Sequence, residues 1–316
     1  MWWTIRGKKN KHISTFQVII LGFLLVILLG SLCLTLPIAT QDGKGATFMD
    51  SLFTATSSVC VTGLIVEDTA TYWSTFGQGV ILFLIQIGGM GVVTISVMIA
   101  IISGRKISLM QRNTMREAIS APQVGGIVKM TKFILKTALM VEVIGAVVML
   151  PVFIRDFGVL KGIWYAIFHS VSAFCNAGFD LMGVNGKFSS LTGYSAQPVI
   201  NLTIMALIII GGIGFLTWED IQRNRWHFSK YRMQSKVIIT MTGLLIFIPA
   251  LWFFFCEFSD LPLGERILSS FFQSVTPRTA GFNTADLTLI SEAGILIMIM
   301  LMLTGGSPGS TAGGMK

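Results

Sequence analysis

Three stretches of the chain repeat one pattern of residue types suited to binding a dehydrated cation. The first is Phe53-Thr-Ala-Thr-Ser-Ser-Val-Cys-Val-Thr-Gly63-Leu64. It returns as Phe168-His-Ser-Val-Ser-Ala-Phe-Cys-Asn-Ala-Gly178-Phe179 and as Phe271-Phe-Gln-Ser-Val-Thr-Pro-Arg-Thr-Ala-Gly281-Phe282. In each copy a Phe stands ten residues before a Gly, Ser and Thr fill the interval, and an apolar residue follows the Gly. Hydroxyl residues suit a short polar helix. The Gly after it lets the backbone take left-handed angles and turn its carbonyls toward an axis, and rings of carbonyls replace the hydration shell of a cation. A single copy would read more readily as a loop that packs helices. Three copies, 115 and 103 residues apart (63 to 178 and 178 to 281), favour a module written repeatedly along the chain.

Other residues could carry chemistry of their own. Gly305-Gly306-Ser307-Pro308-Gly309-Ser310-Thr311-Ala312-Gly313-Gly314 breaks an apolar run, because Pro lacks a donor and clashes with the preceding turn. Gly305 to Gly309 matches the Gly-x-Ser-x-Gly elbow of serine hydrolases, which needs a base near Ser307. The only histidines are His12, His169 and His227, in segments expected on other levels. A phosphate loop is disfavoured, since Gly314-Met315-Lys316 lacks the Gly-Lys-Ser/Thr ending. Glu142 is the one acid well inside an apolar span, and such residues are functional candidates. With no second membrane acid nearby, it reads as bonded to a neighbouring helix. Arg278 is expected to point away from the axis and brace its loop against Glu257, Asp260 or Asp286. Cys60 and Cys175 hold equivalent places in two repeats and are expected as buried free thiols. The runs Gly88-Gly89-Met90-Gly91 and Gly211-Gly212-Ile213-Gly214 suit close helix packing.

The elements that must position these residues are membrane helices. Hydrophobic residues make up 53% of the 316 and charged residues 12%, with a mean hydropathy of +0.75. A soluble domain has about 25% charged residues. Uncharged runs at 13–36, 76–103, 137–154 (around Glu142), 188–218, 237–256 and 293–303 supply spans or the start of one; crossing takes about 20 residues. The run at 13–36 is too long for a signal peptide core. The Phe-to-Gly stretches are too short to cross. Segments 1–12, 104–136 and 221–236 hold four, seven and five of the 23 bases, whereas 37–75, 155–187 and 257–292 carry eleven acids. The positive-inside rule then puts the N-terminus in the cytoplasm and every repeat on the outer side. The net charge of +8 is explained by this topology and calls for no nucleic acid.

Ser-Ser-Val-Cys-Val-Thr-Gly-Leu at 57–64, Phe-Cys-Asn-Ala-Gly-Phe-Asp-Leu at 174–181, Gln-Ser-Val-Thr-Pro-Arg-Thr-Ala-Gly-Phe-Asn-Thr at 273–284 and Thr-Gly-Gly-Ser-Pro-Gly-Ser-Thr-Ala-Gly-Gly at 304–314 strongly resemble the Ktr/Trk/HKT potassium transporter superfamily. The similarity is closest to the membrane subunit of bacterial Ktr-type systems. It implies an all-α membrane protein of helix–pore loop–helix units. These would be 1–103, 131–220 and 236–316, separated by cytoplasmic loops 104–130 and 221–235, and would make three of an expected four, since the chain stops at Lys316 before a fourth. It further implies a potassium filter at Val61, Thr62 and Gly63, at Asn176, Ala177 and Gly178, and at Thr279, Ala280 and Gly281, acting through backbone carbonyls, with 305–314 as an intramembrane gate. No catalysis and no cofactor follow. Potassium is the transported ion, and sodium assistance stays open. The implied setting is a plasma-membrane homodimer, bathed in lipid, on a cytosolic ring of nucleotide-binding regulatory subunits. The alternatives are an ion-coupled carrier with a midplane site at the broken helix and, more remotely, an intramembrane serine hydrolase.

Overall fold

Residues 15–91, 94–95, 109–118, 126–225 and 227–315 are described by the structure, a computed structural model. The basic segment 1–12, the end of the 76–103 run and residues 104–108 and 119–125 of loop 104–130 lie outside the described residues. Thr15–Leu34 (α1) has no charge over 20 residues and would extend roughly 30 Å, the thickness of a bilayer core. Its Leu21, Leu25, Leu28 and Leu32 line one exposed stripe, while Ser31 and Leu34 are buried. Such an apolar stripe is unfavourable in water and suited to lipid.

A short helix follows, Phe48–Cys60 (α2), capped by Thr47, whose side chain accepts the Asp50 N–H. Thr75–Met90 (α3) then runs back, capped by Ser74. The helix Leu109–Ala118 (α4) lies in the basic segment. The second span, Ile127–Phe157 (α5), is 31 residues long, well beyond the expected 137–154. Its buried face reads Thr131, Ile134, Ala138, Glu142, Gly145, Met149, Phe153, with helical spacing, and Leu139, Val143 and Val147 face outward. Val159–Phe174 (α6) repeats the short helix. The 188–218 run proves to be a broken element: Pro198–Gly212 (α7) bends by 99° into Phe215–Asn224 (α8). The break falls at Gly214, with φ +89°. The third set is Met233–Trp252 (α9), Leu263–Val275 (α10) and Glu292–Thr304 (α11).

Among the described residues there is no β-strand, only an isolated bridge between Thr40 and Trp73. Among the described residues three helices are long and apolar enough to cross a membrane, or four with the bent pair. The protein is thus all-helical: α2 and α6 are each packed between a long helix and a returning one, and α10 packs on α9 and α7. The short helices are buried on polar faces: Ser51, Thr54, Ser57 and Ser58 in α2, His169, Ser170 and Ser172 in α6, Ser269, Ser270, Gln273 and Ser274 in α10. These hydroxyls tie the units together. Ser170 Oγ donates to the Glu142 carbonyl at 2.6 Å. Ser274 Oγ donates to the carbonyls of Ile246 (2.6 Å) and Leu245 (3.2 Å). The Leu245 carbonyl is the one that Pro249, lacking an N–H, leaves without its helical donor.

Candidate functional site

Each short helix ends at the Gly-bearing loop, and the three loops share one backbone conformation. Val61, Asn176 and Thr279 have φ of 55°, 57° and 69°, and Gly63, Gly178 and Gly281 have φ of 76°, 69° and 84°. The intervening Thr62, Ala177 and Ala280 are not left-handed. In an extended strand successive groups point to opposite sides. Alternating handedness instead can turn successive carbonyls to one side. The conformation is strained: a β-branched residue such as Val61 or Thr279 at positive φ is an outlier, at about 1–3 kcal/mol each. Strain at the same place in three copies marks a functional constraint.

The loops meet. A Cβ on Gly63 would lie 2.7 Å from the Ala177 carbonyl oxygen, and one on Gly178 would lie 2.5 Å from that of Ala280. The first loop therefore touches the second through Gly63 and Ala177, and the second touches the third through Gly178 and Ala280. Helices α2, α6 and α10 deliver their C-terminal ends to this cluster. The partial negative charge of those ends favours a cation there.

A brace behind each loop was not singled out from sequence. Ser57 Oγ donates to the Leu64 carbonyl, Ser172 Oγ to that of Phe179 and Thr276 Oγ1 to that of Phe282, each at 2.6 Å. Ser57 and Ser172 stand six residues before their Gly, and Thr276 five. That one-residue shift, beside Pro277, hides the correspondence in an alignment of the repeats.

The 305–314 loop lies against this cluster. Thr311 Oγ1 donates to the Phe174 carbonyl at 2.9 Å and contacts Asn176 Oδ1 at 3.3 Å. Gly313 N–H donates to Thr279 Oγ1 at 3.0 Å. Ser307 and Thr311 N–H groups reach the Gly212 and Gly211 carbonyls. The last four carbonyls of α6 are thereby all satisfied: Val171, Ser172 and Ala173 by the N–H groups of Cys175, Ala177 and Asn176, and Phe174 by Thr311. The loop closes an account that the helix itself leaves open. The glycine pairs allow the approach. A Cβ on Gly88 would collide with the Val59 carbonyl, and one on Gly211 with the Phe174 carbonyl. Val59 and Phe174 are equivalent, each four residues before its Gly.

Glu142 takes the structural role expected of it. It accepts from Gln86 Nε2 at 3.0 and 3.3 Å, and Cys175 Sγ lies 3.7 Å from Gln86 Oε1. Two expectations need correction. Arg278 braces no acid: it donates to the Gly305 carbonyl and Thr242 Oγ1, while Glu257 is held by Ser291. Cys175 is buried, packed against Gly89 and 3.7 Å from Gln86 Oε1 of the first unit, but Cys60 is exposed. Among the described residues no histidine serves Ser307 as a base: His169 is engaged through Nδ1 with the Tyr165 carbonyl and through Nε2 with Leu181 N–H, and His227 Nδ1 lies by Asn224.

Fold and site together define a helical membrane transporter. Residues 2–316 match the TrkH family of cation transport proteins, and the chain belongs to that family. It is 43% identical over 319 residues to the potassium/sodium uptake protein NtpJ of Enterococcus hirae, covering 99% of this chain and 69% of that one. It is 39% identical over 306 residues to the Ktr system potassium uptake protein B of Bacillus subtilis, covering 95% and 67%. The crystal structure of the potassium transporter TrkH from Vibrio parahaemolyticus superposes with a TM-score of 0.66 at 20% identity, over 98% of this chain and 60% of that one, and shares the fold. The chain thus spans about two thirds of the length of these curated relatives. These relatives are named as transporters, and the protein is not an enzyme.

Proposed function

We propose that the protein takes up potassium across the plasma membrane through a carbonyl filter formed by Val61, Thr62 and Gly63, by Asn176, Ala177 and Gly178, and by Thr279, Ala280 and Gly281. The observation that carries this reading is the thrice-repeated left-handed pair around an ordinary residue, with the loops in mutual contact. Such a backbone aims oxygens at a common point, where they substitute for water around the ion. The relatives' names, potassium uptake and potassium/sodium uptake, support the ion and keep sodium as a candidate partner in transport.

Residues 305–314 act as the gate, since the loop bonds to Asn176 and Thr279 and so occupies the ground beside the filter. The units are 1–103, 131–220 and 236–316. The basic N-terminus and the loops 104–130 and 221–235 face the cytoplasm, where they dock a ring of nucleotide-binding regulatory subunits, and the membrane subunit works as a homodimer. The word system in the Bacillus subtilis relative's name is consistent with a multi-component assembly.

Deleting Ser307 to Ala312, in the protein expressed from its complete reading frame in a bacterium without its own potassium uptake, tests the reading. Potassium flux should rise and lose most of its dependence on the cytosolic partner. Flux at or below the parent's level from a well-expressed deletion would refute the gate.

A further inference from the structure

One position breaks the symmetry of the three repeats where the returning helix breaks. The residue three before the loop Gly is Cys60 in unit one, Cys175 in unit two and Arg278 in unit three. A glycine pair lies at the end of each returning helix: Gly88-Gly89 and Gly211-Gly212 in the last turn, and Gly305-Gly306 just beyond it. In the first two units the first glycine of the pair packs directly on a short-helix carbonyl, of Val59 or Phe174. In the third, the Arg278 side chain reaches Gly305 instead, its Nε donating to the Gly305 carbonyl at 3.3 Å and one terminal nitrogen to Thr242 Oγ1 at 3.5 Å.

Arg278 is 7% exposed, and among the described residues no carboxylate pairs with it. A buried cation without a counter-charge is costly. Here the compensation comes from the end of α11: Gly305 is the residue at which that helix stops, with its N–H on the Leu301 carbonyl. Helix C-termini carry partial negative charge and stabilise cations. The stabilisation lasts only while the start of the 305–314 loop stays beneath the third filter loop. The neighbouring Thr279 holds the other end of the same loop through Gly313.

We propose that Arg278 is a positioning residue, a latch that holds the 305–314 loop closed and ties its state to the third filter loop. The inference rests on the gate reading above. Moving the loop away would strip the guanidinium of its acceptors and leave an uncompensated charge inside the protein, so the closed arrangement is favoured by this side chain.

The test is radioactive potassium uptake by the full protein carrying Arg278→Gln or Arg278→Lys, each with and without deletion of Ser307 to Ala312. Arg278→Gln keeps a polar amide on a shorter side chain and removes the charge. Losing a partly buried helix-end interaction should shift the closed-to-open ratio, and hence flux, about tenfold upward. In the deletion background the same substitution should change flux by less than about twofold, since interactions that share one element are not additive. A merely structural role would instead lower flux in both backgrounds. If the deletion raises flux but Arg278→Gln, present in the membrane at parental level, does not, the latch is refuted and the gate stands. If the deletion fails to raise flux, the gate reading falls and the latch with it. Should Arg278→Gln fail to accumulate, Arg278→Lys decides: one ammonium replaces the two-pronged guanidinium, flux should rise about threefold, by less than the loss of a whole helix-end interaction, and parental flux would overturn the proposal.

Discussion

Replacing the loop glycines by Ala should damage transport in a definite order. At Gly178, φ is +69° and a Cβ would stand 2.5 Å from the Ala280 oxygen. Ordinary C···O contacts begin at about 3.3 Å, so that oxygen must retreat by about 0.8 Å. At Gly63 the corresponding distance is 2.7 Å to the Ala177 oxygen, a retreat of about 0.6 Å on the same scale. At Gly281 the nearest atom is the Gly178 Cα at 3.3 Å, and the conformational term stands almost alone. An L-residue in the left-handed region costs about 1–2 kcal/mol, which by itself is about tenfold in an equilibrium. The displaced atoms at Gly178 and Gly63 are carbonyl oxygens that the filter reading aims at the ion. Potassium flux and the potassium-to-sodium ratio should therefore fall most in Gly178→Ala, next in Gly63→Ala and least in Gly281→Ala, with about tenfold loss even in the mildest case. Gly264→Ala, in α10 with nothing within 4 Å of its Cβ, is the control and should be silent. Flux and ion-selectivity assays on purified protein in vesicles read all four. A parental potassium-to-sodium ratio in Gly178→Ala, or a reversed order with Gly281→Ala worst, would refute the placement of these loops around an ion.

Ser172→Ala removes the donor from the Phe179 carbonyl and should lower the thermal midpoint in detergent by an amount corresponding to about 1–3 kcal/mol, the cost of an unsatisfied buried acceptor. Gln86→Leu leaves buried Glu142 without its side-chain donor and should reduce membrane accumulation more than Gln86→Leu with Glu142→Leu together, as quantitative immunoblots would show; equal loss would mean that the pair is not coupled. A single Cys near Lys44 or Lys187 should react with an impermeant thiol reagent on intact cells, and one near Arg112 or Lys230 only after permeabilisation. The reverse labelling would overturn the orientation read from charge.

The membrane class, the repeats, the loop glycines and the 305–314 break were legible in the sequence because each is written in local terms. An uncharged run long enough to cross, a Gly where left-handed angles are needed and a Pro that stops a helix act through neighbouring residues alone. The bend at Gly214 was concealed within the long 188–218 run, since apolar composition looks the same in a straight helix and in a broken one. Equivalence between repeats also misled where surroundings differ: Cys60 and Cys175 share a motif position, yet only the second is buried, against Gly89 and Gln86 of a neighbouring helix. The partner of Arg278 is a backbone carbonyl 27 residues away, and carbonyls are present at every residue, so no side-chain pattern could single out Gly305. The sequence by itself determined which segments are apolar enough to cross a membrane and where the backbone can turn. The tertiary structure alone decided which loop carbonyls approach which glycines, that Thr311 completes α6, and that a buried cation rests on the end of α11, because those choices depend on how separately stable helices pack against one another.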